Sequence, residues 1–181
     1  MTLIYSLDQN DFLQHQLYIA SKSARIKKKR RNSWLLVTIA FFVLGLVFYD
    51  MANKLMMYYF FGASLISFIF YPFYLKYHYK KHYQKFINDT YKNRTAEPST
   101  ICFKEQQVEL FDKTAESKIN FTEFEEIVET ANYYYLRMQS GGSIIIAKLK
   151  IDNGKELHHF LKALANKLHI NFTAELDWVW K

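Results

Sequence analysis

The residues that could act as nucleophiles, acids or metal ligands are few in this sequence. His78 and His82 are four residues apart, the spacing of two zinc ligands on one helical face, but no third ligand accompanies them. The glutamates at 123, 125, 126 and 129 fit a solvated turn and strand better than paired catalytic carboxylates. Cys102 is the only cysteine, which excludes an intrachain disulfide and a CxxC redox pair. Catalysis needs a nucleophile or a base with an orienting partner, so we expect no enzymatic activity, no metal and no cofactor.

The basic character of the chain lies in its first half. Residues 1–95 hold 14 Lys and Arg against 4 Asp and Glu, whereas residues 96–181 hold 10 against 13, so a net charge of +7 divides into +10 and −3. Proteins that bind nucleic acid usually carry their cations on the folded domain that contacts the polymer. The acidic balance of the second half therefore argues against a nucleic-acid partner.

Two apolar runs dominate residues 33–75. Residues 34–49 read WLLVTIAFFVLGLVFY and residues 55–75 read LMMYYFFGASLISFIFYPFYL, with the short linker DMANK between them. A transmembrane helix needs about 20 mostly apolar residues. Buried helices of a soluble bundle would show a polar stripe, and neither run has one. The pattern predicts an antiparallel helical hairpin through a bilayer.

Cations flank this hairpin and are sparse in its turn. The positive-inside rule therefore places both termini in the cytoplasm and DMANK outside. Trp34 stands where an amphipathic ring prefers the headgroup level, and the cations are expected to contact anionic lipid headgroups. The residues assigned to this role are Arg25, Lys27, Lys28, Lys29, Arg30, Arg31, Trp34, Lys76, Lys80 and Lys81.

Small residues within the runs allow two helices to approach closely. Packing within the hairpin is the simpler interpretation, and association between two copies of the chain is left open. The residues are Gly45, Gly62, Ala63, Ser64 and Ser67.

The remaining segments give the domain plan. Residues 1–32 predict an amphipathic and basic cytoplasmic helix, with Ser6 to Gln9 as its capping box, and residues 76–96 predict a basic helix or linker. From residue 97 to 181 the apolar pattern alternates, a Gly141-Gly142 hairpin follows, and a stripe from Leu157 to Leu168 predicts a final helix. This is an α+β domain: an antiparallel sheet or partly open barrel closed by a C-terminal helix. The tail NFTAELDWVWK predicts either a further strand or a segment that lays its tryptophans on the membrane.

The segment INFTEFEEIVETANYYYLRM, the glycine hairpin, SIIIAKLKI and the closing helix resemble YcxB-like bacterial membrane proteins. The N-terminal DFLQHQLYIASKSARIKKKRR and the two spans extend the resemblance over nearly the whole chain. The resemblance implies a pleckstrin-homology-like C-terminal domain and a multi-pass location in the bacterial inner membrane.

Two functions are compatible with this plan. The first is a regulatory or scaffolding role, in which the cytoplasmic domain holds an unidentified protein partner near the membrane. The second is an immunity-type role, in which the hairpin protects the cell against a membrane-active toxin. The candidate partner surface comprises Tyr133, Tyr134, Tyr135, Trp178 and Trp180, and the tyrosines could equally pack the sheet.

Overall fold

The computed structural model describes residues 1–91, 97–113 and 115–181. These residues form two compact units. The sheet unit comprises Met1–His15 and the described residues of Ile87–Val179, and the helix unit comprises Gln16–Phe86 with Trp180–Lys181. The elements in chain order are β1 (Thr2–Ser6), α1 (Gln9–Lys22), α2 (Ala24–Asp50), α3 (Lys54–Thr90), β2 (Pro98–Phe103), β3 (Gln107–Phe111), β4 (Glu116–Asn120), β5 (Phe124–Thr130), β6 (Tyr133–Met138), β7 (Ser143–Ala147), α4 (Gly154–Leu168) and β8 (Asn171–Glu175).

The two apolar runs form α2 and α3, so the predicted helical hairpin is confirmed as a pair of long apolar helices. The helices are joined through Met51, Ala52 and Asn53; Ala52 adopts a positive φ of 56°, and the side-chain oxygen of Asn53 accepts from the Met56 amide at 3.2 Å. Helix α3 continues past the apolar run to Thr90. Residues 92–96 of the predicted 76–96 segment lie outside the described residues.

The prediction of a single helix within residues 1–32 is wrong at Ser23. There the backbone is extended, and the Ser23 hydroxyl accepts from the Ile26 amide at 3.4 Å, which starts α2 afresh. The basic block at 27–31 therefore belongs to the same helix as the apolar run.

The N-terminal cap also differs from the prediction. Asp8 and Asp11 each accept the other's backbone amide, at 3.0 and 2.7 Å, so the reciprocal cap lies two residues later than proposed.

The first strand was missed by the sequence reasoning, which assigned residues 1–32 to a helix. Strand β1 pairs antiparallel with β2, with Thr2 opposite Cys102. Its side chains alternate: Leu3 and Tyr5 are buried, whereas Ile4 is 68% exposed. Only five residues carry this alternation, so the local pattern was too short to outweigh the helical signal that follows it.

Two four-stranded sheets make up the sheet unit, in the orders β1-β2-β3-β4 and β7-β6-β5-β8. They are not closed into a barrel, and β8 runs parallel to β5, so the second sheet is mixed rather than antiparallel. Of the two predictions for the tail NFTAELDWVWK, the further strand is confirmed, and it comprises Asn171–Glu175. The finer expectation of a pleckstrin-homology-like fold stays a prediction.

The predicted final helix is confirmed as α4. Its buried face, which includes Leu157, Leu161 and Leu164, packs into the core of the sheet unit with Ile101 and Val108. Each such side chain contributes about 1.5–3 kcal/mol when removed from water.

The Gly141 hairpin is also confirmed, since Gly141 has a φ of 89° and its amide donates to the Met138 carbonyl.

Candidate functional site

Two of the predicted small residues lie where α2 and α3 touch. A side chain added at Gly45 would come within 2.6 Å of the Phe61 ring, so this close approach requires glycine. The Ser64 hydroxyl is buried and donates to the Thr38 carbonyl across the pair at 3.0 Å. An added Cβ at Gly62 would meet open space, and Ala63 and Ser67 are half-buried. The structure thus brings Gly45 and Ser64 into the helix contact.

Pro72 interrupts the hydrogen-bonding ladder of α3, and Trp34 restores it from the neighbouring helix. A proline has no N–H, so the carbonyl four residues before it, that of Phe68, loses its helical donor. The Trp34 Nε1–H donates to this carbonyl at 3.1 Å, and the two rings lie 5.0 Å apart. Ser33 and Tyr71 add a second hydroxyl contact at 3.1 Å. Trp34 is therefore a structural link between the two helices, and its role as an interfacial anchor stays a prediction.

The predicted cations lie on the first turns of α2 and on α3 after the apolar run. Lys27, Arg30 and Arg31, together with Trp34, line a groove of about 220 Å³ against Pro72 and Leu75. Lys28, Lys29 and Arg25 are exposed and do not line it, and Lys76, Lys80 and Lys81 are exposed on α3.

Trp180, which was predicted as part of a partner surface, lies within the helix unit and is 8% exposed. Its Nε1–H donates to the Lys76 carbonyl at 3.1 Å. The Arg30 guanidinium stands over its ring at 5.0 Å and donates to the main-chain oxygen of Lys181 at 2.9 Å. Arg30 is therefore held by contacts within the helix unit. Trp178, the other tryptophan of the predicted partner surface, belongs to the sheet unit.

The three consecutive tyrosines of β6 are buried, so they do not form an exposed surface in this chain. Tyr133 and Tyr135 stack at 5.7 Å, and Tyr134 lies on the opposite face, in the core. The Tyr133 hydroxyl donates to Asp11 at 3.0 Å, and burial followed by the Asp11 charge raises the pKa of Tyr133. Their contact with a protein partner stays a prediction.

Asp11 is 4% exposed and is neutralised inside the sheet unit. Lys150 donates to it at 2.6 Å and to Asp8 at 2.9 Å. Burial lowers the pKa of Lys150, but the hydrogen bonds to Asp11 and Asp8 outweigh burial and raise it. The hydrogen bond from Lys150 is the main cause that lowers the pKa of Asp8. These charges pair with one another, as buried ions must.

The acidic run of β5 does not form a wholly solvated surface, which corrects the sequence interpretation. Glu129 is 7% exposed; Lys148 donates to it at 2.6 Å and His158 lies 3.3 Å from it. Glu126 accepts from Arg137 at 2.9 Å and from Thr173 at 2.6 Å. Both carboxylates are therefore held in structural ion pairs.

His15 is a largely buried titratable group of the sheet unit. Burial, followed by the charge of Arg137, lowers its pKa to about 4. Its ring lies 5.2 Å from that of Tyr135, and its Nε2 is buried with no hydrogen-bond partner among residues 1–91, 97–113 and 115–181. Histidine 15 is therefore neutral in the folded chain at neutral pH.

A cavity of about 540 Å³ lies between the inner face of the first sheet and strand β7. Its volume is in the range of ligand-binding cavities. The Tyr5 hydroxyl donates to the Ile145 carbonyl beside it, and burial raises the pKa of Tyr5. The Ser143 hydroxyl is buried in the lining and has no partner among the described residues. Side chains that line the cavity include Ile101, Leu110, Ile119, Ile144, Ser99 and Ser117.

The sequence reasoning missed this cavity and the groove beside Trp34. The spacing of Lys27, Arg30, Arg31 and Trp34 at i, i+3, i+4 and i+7 was a signal that they share one face of a helix. The cavity left no such signal, because it is built from strands that are distant in sequence, and one of them, β1, was not recognised.

Comparison with known proteins supports part of the sequence interpretation. The model of the family described as YcxB-like protein matches residues 103–164, so the resemblance predicted from sequence is confirmed over these residues. The match runs from the last residue of β2 into α4. No curated protein and no solved structure matches the chain.

We expect the link between Trp34 and Pro72 to appear as an energetic coupling. Trp34→Phe removes the donor to the Phe68 carbonyl, and a carbonyl left unsatisfied in apolar surroundings costs about 1–3 kcal/mol. In a Pro72→Ala background the amide of residue 72 can supply the helical hydrogen bond, so Trp34→Phe should cost clearly less. The measurement is unfolding of the full chain in mixed micelles, followed by helical circular dichroism.

Leu36→Ala, at an exposed position on the same helix, serves as the control for this cycle, because its effect should not depend on residue 72. Equal losses of stability from Trp34→Phe in the two backgrounds would show that the indole does not replace the hydrogen bond that Pro72 removes.

The buried His15 predicts a loss of stability in mild acid. Its folded pKa lies below the ordinary value of 6.5, so the unfolded chain takes up the proton first as pH falls. The contribution of neutral His15 to the free energy of unfolding is complete above pH 6.5 and is lost as the pH falls from 6.5 to about 4. The free energy of unfolding should fall by about 2 kcal/mol from pH 7.5 to pH 5 from this group alone.

His15→Phe should remove that part of the pH dependence in urea unfolding of the full chain. His159→Phe makes the same change at an exposed position and should leave the pH dependence as it is. An unchanged slope in the His15 variant would contradict the assignment.

Proposed function

Because residues 103–164 are similar to YcxB-like proteins and two long apolar helices are present, we propose that the chain is a non-catalytic multi-pass protein of the bacterial inner membrane. In this proposal the sheet unit is an interaction domain displayed in the cytoplasm, with a regulatory or scaffolding role. Its partner is a protein that is recognised close to the membrane.

The exposure of the two apolar helices is the observation that carries this proposal. Only 6% of the apolar window of each helix is buried within the chain. A core helix of a soluble protein would bury most of such a surface, and soluble proteins rarely expose large apolar patches. A bilayer would cover both helices and match their length.

The distribution of charge supports the proposed orientation. The basic residues of α2 precede the apolar run and those of α3 follow it, so they lie at the same end of the antiparallel pair. Lys54 and Asp50 stand at the other end. Cytoplasmic loops carry the excess of Lys and Arg, which favours a cytoplasmic location for both ends of the chain.

The cavity between the sheets supports binding rather than catalysis. Its lining is largely apolar, with several hydroxyls and two carboxylates. Of these carboxylates, Glu97 pairs with Lys113 and Asp112 accepts from the Ala115 amide, and the buried charges of the sheet unit are likewise paired with one another. A segment of a partner that carries an apolar side chain would fill this space and could reach the buried Ser143 hydroxyl. The immunity role has no specific observation in its favour and stays a prediction.

Labelling of single cysteines tests the topology. In a Cys102→Ser background, Met51→Cys should react with a membrane-impermeant maleimide in intact cells, because the turn between α2 and α3 faces outward. Glu116→Cys, in an exposed position on β4, should react only after the membrane is permeabilised. The reverse pattern would overturn the orientation, and extraction of the protein by alkaline wash would overturn membrane insertion.

Photo-crosslinking in cells tests the interaction role. A benzoylphenylalanine at Ser117 lines the cavity, whereas one at Lys118 points to the other face of the same strand. We expect a discrete adduct that forms at least several-fold more from position 117 and is lost when Ile119→Trp fills the cavity. Equal adducts from both positions, or none, would refute the cavity as the binding surface.

A further inference from the structure

The groove beside Trp34 selects a subset of the basic block. Lys27, Arg30 and Arg31 recur at helical spacing on one face of α2, and this face meets Pro72 and Leu75 of α3. Lys28 and Lys29, although adjacent in sequence, do not line the groove. The five consecutive cations are therefore divided by geometry into three that share a concave site and two that do not.

Acidic side chains are nearly absent from the segment that carries the groove. Between Gln16 and Asn88 there are 12 Lys and Arg, and the sole acidic residue is Asp50, at the opposite end of the hairpin. Lys27 and Arg31 have no ion-pair partner among the described residues. Both side chains are therefore available to an anionic ligand.

Arg30 is already oriented for such an anion. Its guanidinium lies over the rings of Tyr79 and Trp180, at 5.8 and 5.0 Å, and one of its N–H groups donates to the Lys181 main chain. A guanidinium has five N–H donors, so others stay available for a phosphate. The contacts inside the chain reduce the side-chain entropy that binding would cost.

A second, apolar groove lies on the same pair of helices. It has a volume of about 490 Å³ and is lined by Thr38, Phe42, Phe61, Ser64, Leu65 and Phe68. The Trp34 ring, which lines the basic groove, packs against Phe68 in the apolar one. A ligand that fits both has an anionic head and an apolar chain.

We propose that the groove formed by Lys27, Arg30, Arg31 and Trp34 binds the phosphodiester headgroup of an anionic phospholipid, whose acyl chain lies along the Phe68 groove. This inference rests on the membrane location proposed above. Basic recesses between membrane helices are suited to such headgroups, and the depth of the site next to Trp34 matches the headgroup level. The bound lipid would complete the surface of the helix pair where Pro72 breaks the regular ladder.

Native mass spectrometry of the full chain, stripped of lipid and held in detergent micelles, tests the proposal by counting bound molecules. The probes are phosphatidylglycerol, phosphatidylcholine and inorganic phosphate. We expect one tightly bound phosphatidylglycerol, with an apparent Kd about ten-fold lower than that for phosphatidylcholine, and no displacement by inorganic phosphate. Displacement by millimolar phosphate would mean a simple anion site and would overturn the lipid assignment.

Two double variants with the same change in net charge separate a specific site from general attraction. Lys27→Gln with Arg31→Gln should abolish most of the preference for phosphatidylglycerol, whereas Lys28→Gln with Lys29→Gln should retain it. Equal losses in both would mean that the block acts only as diffuse charge. An alkaline wash of membranes shows whether the wild-type chain and each variant insert. A wild-type chain that inserts but shows no preference for phosphatidylglycerol refutes this inference alone, and a wild-type chain that does not insert refutes the proposed function as well.

Discussion

The demand that every backbone polar group in an apolar medium find a hydrogen-bond partner governs the helix pair. Pro72 violates this demand within α3, because it leaves the Phe68 carbonyl without a donor. The indole of Trp34 satisfies the carbonyl from α2 and so fixes the register of one helix against the other. The same contact creates the recess in which three cations and two apolar residues meet. A local defect in one helix thus specifies both the packing and the shape of the candidate lipid site.

Charge is treated differently in the two units. In the sheet unit the buried carboxylates of Asp11 and Glu129 are each matched by a lysine at 2.6 Å. Removal of one partner from such a pair leaves an uncompensated buried charge, which is strongly destabilising. In the helix unit the cations are largely exposed and unmatched by acidic residues of that segment. Structural charge is therefore concentrated in the first unit, and charge available to a ligand in the second.

Patterns that extend over many residues could be predicted from the sequence. The two apolar helices, the Gly141 hairpin and the stripe of α4 each repeat a local signal, so their existence and type were recovered. Strand β1 could not be recovered, because its pairing with β2 joins residues about 100 positions apart and leaves only a five-residue alternation. The tyrosines of β6 show the same limit: their type suits a surface or a core, and only the packing of the sheet unit decides that they are buried. For the candidate site, the sequence grouped the cations of the basic block by their charge, and their role at lipid headgroups stays a prediction. The division between Lys27, which lines the groove, and Lys28, which does not, required the position of α3.

The pairing of β1 with β2 makes the sheet unit discontinuous in sequence, with both apolar helices inserted between its first strand and the rest. During synthesis, β1 emerges first and has no strand to pair with until residue 103 has been made. At typical rates of chain elongation this interval is roughly 5–20 s. Both apolar segments precede β2 in the chain, so they leave the ribosome before β1 can pair with its partner strand. The order of the elements along the chain therefore sets the order of events: the two apolar helices are exposed to their surroundings before the first sheet can form.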